Sequence, residues 1–292
     1  MTATPSDFPI DGLSPSSLDL WRQCPRRFYE EKMAGRPQGP AGEAALLGTF
    51  VHLTLELLMQ RPANDRTLDA AKVDARTAWD EFSASADWWE WCAFADFDPD
   101  GPEGREFRWR AWQSVCGLFR IEDPTQIEVV ATEQFMSAKL GDAPVRGIVD
   151  RLERDSDGLL VVSDYKTGKV PDARFRGSKD RQLRLYAAML AEHGELPVRG
   201  RLLFTSHHTQ LLVSFDPVEV DECVRVVSEA WSDIVDAHGS GLWPAEPGPL
   251  CGWCPFVEEC DAGLAEVQDR RASGRLKRSA PAWDVAAPVE LL

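Results

Sequence analysis

Between Val145 and Gly168 the chain reads VRGIVDRLERDSDGLLVVSDYKTG, an apolar hairpin pattern interrupted by three side chains that could do chemistry. Asp150 falls in mid-strand, and Asp164 and Lys166 end the following strand two residues apart. Strand side chains alternate with a period of two, so Asp164 and Lys166 share a face. Two carboxylates and an ammonium converging at a strand end cost desolvation energy unless a partner uses them, and a divalent cation is the usual partner. A second group lies further on, where CGWCPFVEEC sets Cys251, Cys254 and Cys260 in a C-x2-C-x5-C pattern. Three thiols make an incomplete tetrahedral site, and Cys24, in its own Cys-Pro-Arg context, is the natural fourth. Four thiolates serve either Zn²⁺ or an iron–sulfur cluster, and spacing leaves both open. Either would tie residue 24 to residue 251.

The elements that must position these groups can be read from pattern and punctuation. Ser14-Pro15 opens an amphipathic helix, LDLWRQCPRRFYEEKM, with a hydroxyl N-cap and Pro at its first position. Residues 34–45 are Gly/Pro-rich and read as a loop. Gly48–Met59 is a strong helix that places His52 and Glu56 four apart on one face. Residues 62–123 read as a helical, Trp-rich arm broken near Asp98-Pro99-Asp100-Gly101-Pro102, with ten Asp/Glu against two Arg between Asp74 and Glu106. Its plain reading is an insertion with solvated charges and a Trp-lined packing face. Residues 127–138 form a strand carrying Glu133, and the hairpin follows, turning at Asp155–Gly158. Residues 169–177 are a basic loop before a helix over residues 178–192, whose Gln182 and Tyr186 share a face. Two further strands, 201–206 and 211–215, lead to a long helix at 216–238 with Asp216 as cap. Residues 1–13 read as a flexible leader and 263–292 as a weakly ordered basic, Pro/Ala-containing tail.

Composition bounds the reading. The chain has 292 residues, 43% hydrophobic and 27% charged, enough to bury a sizeable core. No apolar run approaches the roughly 20 residues of a membrane span. The start has neither the basic nor the apolar region of a secretory signal, and seven cysteines, an odd number, argue against a disulfide framework. A cytoplasmic setting is expected. The net charge of −16 excludes a broadly basic nucleic-acid-binding surface. Any contact with phosphate must use local basic charge or a bridging cation.

Together, GTFVH at 48–52, Glu133, GIVD at 147–150, DYK at 164–166, QLRLY at 182–186 and Cys24 with CGWCPFVEEC resemble the RecB-like branch of the PD-(D/E)XK nuclease superfamily. They are similar in particular to the iron–sulfur nucleases of CRISPR adaptation (the Cas four type) and to AddB nuclease domains. The resemblance runs from about residue 14 to 262 and leaves the arm at 62–123 unaccounted for. It implies an α/β, restriction-endonuclease-like core, a mixed central sheet flanked by helices, with a helical insertion and a cysteine cluster at 250–262 closing onto the N-terminal helix. Cys24, Cys251, Cys254 and Cys260 match the four ligands of a [4Fe–4S] cluster, with Zn²⁺ as the alternative occupant.

On this resemblance, Asp150, Asp164 and neutral His52 are expected to hold one Mg²⁺ or Mn²⁺, with Glu133 as a further ligand or base. Lys166 orients the attacking water or stabilises developing charge, and Gln182 and Tyr186 contact the nucleic-acid backbone. The expected function is a metal-dependent DNA nuclease, an exonuclease on single strands or ends, in DNA repair, recombination or CRISPR-type processing. No phosphate-binding G-x-x-x-x-G-K-[ST] loop is present, so unwinding is expected of a helicase or other repair or CRISPR-adaptation partner, and no membrane partner is expected. Two other classes compete: a non-catalytic nucleic-acid-binding or assembly subunit that keeps the fold, and a redox protein built on the cluster. The second leaves Asp150, Asp164 and Lys166 without a purpose.

Overall fold

Turn chemistry between β-branched runs builds the centre of the computed structural model, which describes residues 8–285. In chain order the helices α1 (Pro15–Gln23), α2 (Pro25–Phe28), α3 (Glu43–Gln60), α4 (Leu68–Ser83), α5 (Ala86–Ala95) and α6 (Pro102–Ile121) come first. Strands β1 (Glu128–Leu140), β2 (Ala143–Arg154) and β3 (Leu160–Lys166) lead to helix α7 (Gly177–Glu192), then β4 (Arg199–Phe204) and β5 (Thr209–Ser214). Helices α8 (Pro217–Ser240) and α9 (Asp261–Ala272) complete the described chain. The result is an α/β fold with a five-stranded mixed sheet and nine α-helices among the described residues, consistent with the restriction-endonuclease-like core expected.

The chain packs as two compact units. The larger comprises residues 40–140 and 145–225 and contains most of the sheet, in the order β1-β2-β3-β4-β5. Strands β2 and β3 pair antiparallel, with Arg151 opposite Ser163. Their turn is fixed by Asp155, whose carboxylate accepts the N–H groups of Asp157 and Leu159 at 3.0 Å each, and by Gly158 at φ +76°. Strands β3 and β4 are parallel, Asp164 opposite Leu202, and α7 is the crossover between them. Residues 160–165 of β3 are buried without exception, the burial expected of a strand with a parallel neighbour and both faces covered. Around α3, the helices α4, α5 and α6 assemble an aromatic core in which Trp88 and Phe107 are wholly buried and Phe82 stacks on Phe50. The arm thus holds three helices, because Ser85 starts α5 with a cap to the Trp88 N–H in addition to the break near Pro102.

The smaller unit comprises residues 8–39, 141–144 and 226–285 of the described chain. Ser14 caps α1 through a reciprocal pair with Ser17, and Pro15 stands at the first helical position. The expected continuous helix stops at Gln23. Cys24 is extended (φ −165°, ψ 106°) because Pro25 disfavours helical backbone in the residue before it. Both expected termini are shorter than the sequence suggested. Leu13 is fully buried with its N–H bonded to the Pro144 carbonyl, and Phe8 packs edge-on against Trp231 and His238. At the other end α9 is helical, and Val257, Val267, Leu276, Ala280 and Ala282 form a small core. Sparse apolar residues suffice because they cluster on one another. Residues 1–7 of the expected leader and 286–292 of the expected tail lie outside the described residues. No helix among those described is long and apolar enough to cross a membrane.

Candidate active site

The first contribution comes from α3. Its face bearing Val51, Leu55 and Leu58 is buried, which fixes the helix against the rest of the unit and leaves His52 half-buried at the sheet. The His52 Nε2–H donates to the Tyr165 carbonyl at 3.0 Å. A carbonyl can only accept, so Nε2 carries a proton, and the tautomer that this contact selects has its lone pair on Nδ1. Nδ1 points at two carboxylates, Asp150 Oδ2 at 3.5 Å and Glu133 Oε1 at 3.9 Å. One ligand atom from each of His52, Glu133 and Asp150 lies within 4.8 Å of the others.

Each carboxylate is held by a separate device. Asp150 Oδ2 accepts the Tyr165 N–H at 2.7 Å, so the single peptide unit pair flanking Tyr165 grips Asp150 on one side and His52 on the other. Glu133 sits within β1 at φ +44°, a left-handed conformation that a non-glycine residue adopts at a cost of roughly 1–3 kcal/mol. That kink re-aims its side chain out of the strand's ordinary alternation. Electrostatics report the crowding. Burial, then the nearby Asp164, push the Asp150 carboxyl up to about 6, against the pull of His52 and Lys166. Burial, then Asp150, Glu56 and Asp164, push Glu133 up to about 7. Carboxyls raised in this way lack a sufficient positive partner within the chain. An imidazole nitrogen with a free lone pair beside two such carboxylates fits a divalent cation.

Asp164, the other expected ligand, lies close enough to Asp150 to raise its carboxyl. Its Oδ2 pairs with Lys166 Nζ at 2.6 Å and its Oδ1 accepts from Gln182 Nε2 at 2.9 Å, while Lys166 also donates to Gln182 Oε1 at 3.2 Å. The structure brings His52, Asp150 and Glu133 together, and it engages Asp164 with Lys166 and Gln182. Gln182 further donates to the Tyr186 hydroxyl at 3.2 Å. Tyr186 lies against β2 where Gly147 stands; a Cβ there would come within 2.6 Å of the ring's Cε1. Burial raises the Tyr186 phenol above its ordinary value, which keeps it a neutral hydroxyl.

Beneath these residues lies a group that the sequence did not single out. Arg151 is fully buried and pairs with Glu122 and Glu153 at 2.6 Å each, and donates to the Tyr165 hydroxyl at 2.9 Å. Arg201 closes the ring to Glu122 and Glu153, again at 2.6 Å. The only hint in the sequence is that two acids and two arginines bracket the D-x-K strand. Tyr165 joins the ring by its side chain and the candidate metal site by its backbone.

A family model of the PD-(D/E)XK nuclease superfamily matches residues 12–261. The chain belongs to the PD-(D/E)XK nuclease superfamily. In this PD-(D/E)XK chain a D-x-K pattern occurs at Asp164-Tyr165-Lys166, with Asp150 on the preceding strand. A comparison with curated proteins returns no match.

The smaller unit of the same PD-(D/E)XK protein gathers the four cysteines. Cys24, Cys251, Cys254 and Cys260 line one cavity of about 30 Å³. Backbone N–H groups of Glu246, Gly248 and Gly263 approach the sulfurs of Cys24, Cys251 and Cys260 at 3.5, 3.3 and 3.4 Å. Burial chiefly, and then neighbouring thiols, raise Cys251 and Cys254. Four thiols facing one cavity with N–H donors on three sulfurs fit a thiolate-bound metal centre.

Proposed function

We propose that this superfamily member is a metal-dependent deoxyribonuclease that hydrolyses phosphodiester bonds in single strands or at DNA ends. The observation that carries the reading is the convergence of His52 Nδ1, Glu133 and Asp150 within 4.8 Å, beside the Asp164–Lys166 pair. These three residues would hold one Mg²⁺ or Mn²⁺, the imidazole donor favouring the softer Mn²⁺. The cation, when bound, makes a coordinated water more acidic and offsets charge on the phosphoryl oxygens. The chain's own residues do the rest. His52 is locked in the ligating tautomer by the Tyr165 carbonyl. Asp164 and Gln182 steer the Lys166 ammonium, which donates to the attacking water or to a non-bridging oxygen as negative charge develops. Gln182 and Tyr186 supply hydrogen bonds to the strand's backbone. Glu133, held up to about 7, can accept a proton near neutral pH when it is not a ligand.

The four cysteines are assigned to a structural [4Fe–4S] cluster, supported by their shared cavity, the N–H donors on three sulfurs and the resemblance to the RecB-like branch. A cluster there would contribute folding free energy to the smaller unit.

Cleavage of end-labelled and circular DNA with Mn²⁺ tests the reading. Lys166→Ala and Asp164→Ala are expected to lose roughly 10³-fold or more in rate, about 4 kcal/mol of transition-state stabilisation, while remaining folded. Retained cleavage in both purified variants would end the assignment.

A further inference from the structure

The Trp-rich arm has no part in the site described above, yet it builds a cavity of its own. Helices α3, α4 and α6 line an open cavity of about 610 Å³, within the range of small-molecule pockets. Two half-buried indoles, Trp79 and Trp112, stand in its wall, and the Arg108 guanidinium carbon lies over the Trp79 ring, 4.9 Å from its centroid. Charge around the cavity runs opposite to the arm that carries it. Between Asp74 and Glu106 the arm has ten acids and two arginines, but the cavity lining holds Lys72, Arg76 and Arg108 against Asp80 alone. Arg76 is one of those two arginines. Lys72 also pairs with Asp69, at an exposed separation of 3.1 Å that a phosphate can outcompete.

Concentrating cations on one aromatic-walled hollow in an acidic arm is a recognition pattern for a planar anion. We propose that this cavity binds a nucleotide, its base stacked on Trp112 or on the guanidinium plane of Arg108 and its phosphate met by Arg76 and Lys72. The chemistry is that of a base bearing a phosphate, supplied either as a free mononucleotide or as one unpaired residue of a strand. The site is distinct from the metal site. Phe50 and Thr54 of α3 face the cavity, and each is two residues from His52, a turn of about 200° around the helix. The cavity and the imidazole therefore leave opposite sides of one helix.

Isothermal titration of the full-length, chelator-treated protein with dAMP, adenosine, inorganic phosphate and an oligothymidylate tests this without involving the metal site. The expected result is saturable binding of dAMP, with adenosine and phosphate each at least ~tenfold weaker, since each lacks one of the two contacts. Arg76→Glu and Trp112→Ala should each weaken dAMP ~tenfold or more at an unchanged melting temperature. Should Trp112→Ala fail to fold, Arg76→Glu and Lys72→Glu, both at exposed positions, carry the test. An oligothymidylate that binds much more tightly than dAMP identifies a strand as the natural source, and equal affinity identifies a free nucleotide; both support the chemistry. No saturable binding of either ligand below ~1 mM, or affinity unchanged in Arg76→Glu, overturns it. Asp164→Ala should bind dAMP as the wild type does, so this site and the nuclease reading fail separately.

Discussion

Neutralising one carboxylate of the candidate metal site should stabilise the metal-free protein, and only at high pH. In Asp150→Asn the amide oxygen can still accept the Tyr165 N–H, now at 2.7 Å, but the negative charge is gone. The wild-type carboxyl moves from an ordinary 3.8 to about 6 in the fold, chiefly by burial and then by Asp164. Below pH 3.8 it is protonated in both folded and unfolded chains and costs nothing. Between 3.8 and about 6 the folded chain binds more protons than the unfolded one, so stability falls as pH rises. Above about 6 the full penalty is present, roughly two pKa units or about 3 kcal/mol. Thermal melts of chelator-treated protein at pH 4 and pH 8 should therefore show Asp150→Asn equal to wild type at the lower pH. At the higher pH it should melt several degrees above wild type, given about 2–4 °C per kcal/mol for a chain of this order. Saturating Mn²⁺ should reverse the order at pH 8, because binding to the folded state stabilises only the protein with its ligands intact. A metal-free Asp150→Asn that melts at or below wild type at pH 8 would show that the carboxylate is compensated within the chain. The case for a cation would then lose its electrostatic basis.

Three further outcomes follow from particular contacts. Arg151→Ala leaves Glu122 and Glu153 facing Arg201 alone in a buried ring, and should cost about 3–5 kcal/mol in chemical denaturation. Gly147→Ala places a methyl 2.6 Å from the Tyr186 ring, so it should cost about 1–3 kcal/mol and lower cleavage by displacing the Tyr186–Gln182 contact of 3.2 Å; unchanged melting and activity would contradict the packing. Cys24→Ser should lower the iron content and visible absorbance of anaerobically purified protein and reduce its melting temperature, whereas stoichiometric zinc without iron in the wild type would replace the cluster with a zinc site.

The hairpin was legible because its signals are local. Asp155–Gly158 chose the turn, and β-branched runs on either side chose strands, as Gly158 at φ +76° and the 151–163 pairing bear out. Cap chemistry was local as well: Ser14 caps α1, and Asp216 accepts the Val218 N–H at 2.8 Å at the start of α8. Local signals failed where burial depended on distant chain. Residue type gave no sign that Arg151 and Glu153 are enclosed, yet both are buried beside β3. The C-terminal tail looked too polar to order, but a handful of apolar residues found one another.

What the sequence by itself determined is the roster of chemistry: His52 and Glu56 on one helical face, Asp164 and Lys166 on one strand face, four cysteines, and the ordered motifs of a nuclease superfamily. Side-chain period and residue type are enough for that. Which of these groups meet was decided only by the tertiary structure. The His52–Tyr165 contact spans 113 positions of chain, Glu133 reaches the site through a left-handed kink that no residue type announces, and Asp164 meets both Lys166 at 2.6 Å and Gln182 of α7 at 2.9 Å. Coulombic attraction and ligand geometry act over a few ångströms of space, and sequence separation carries no record of that distance.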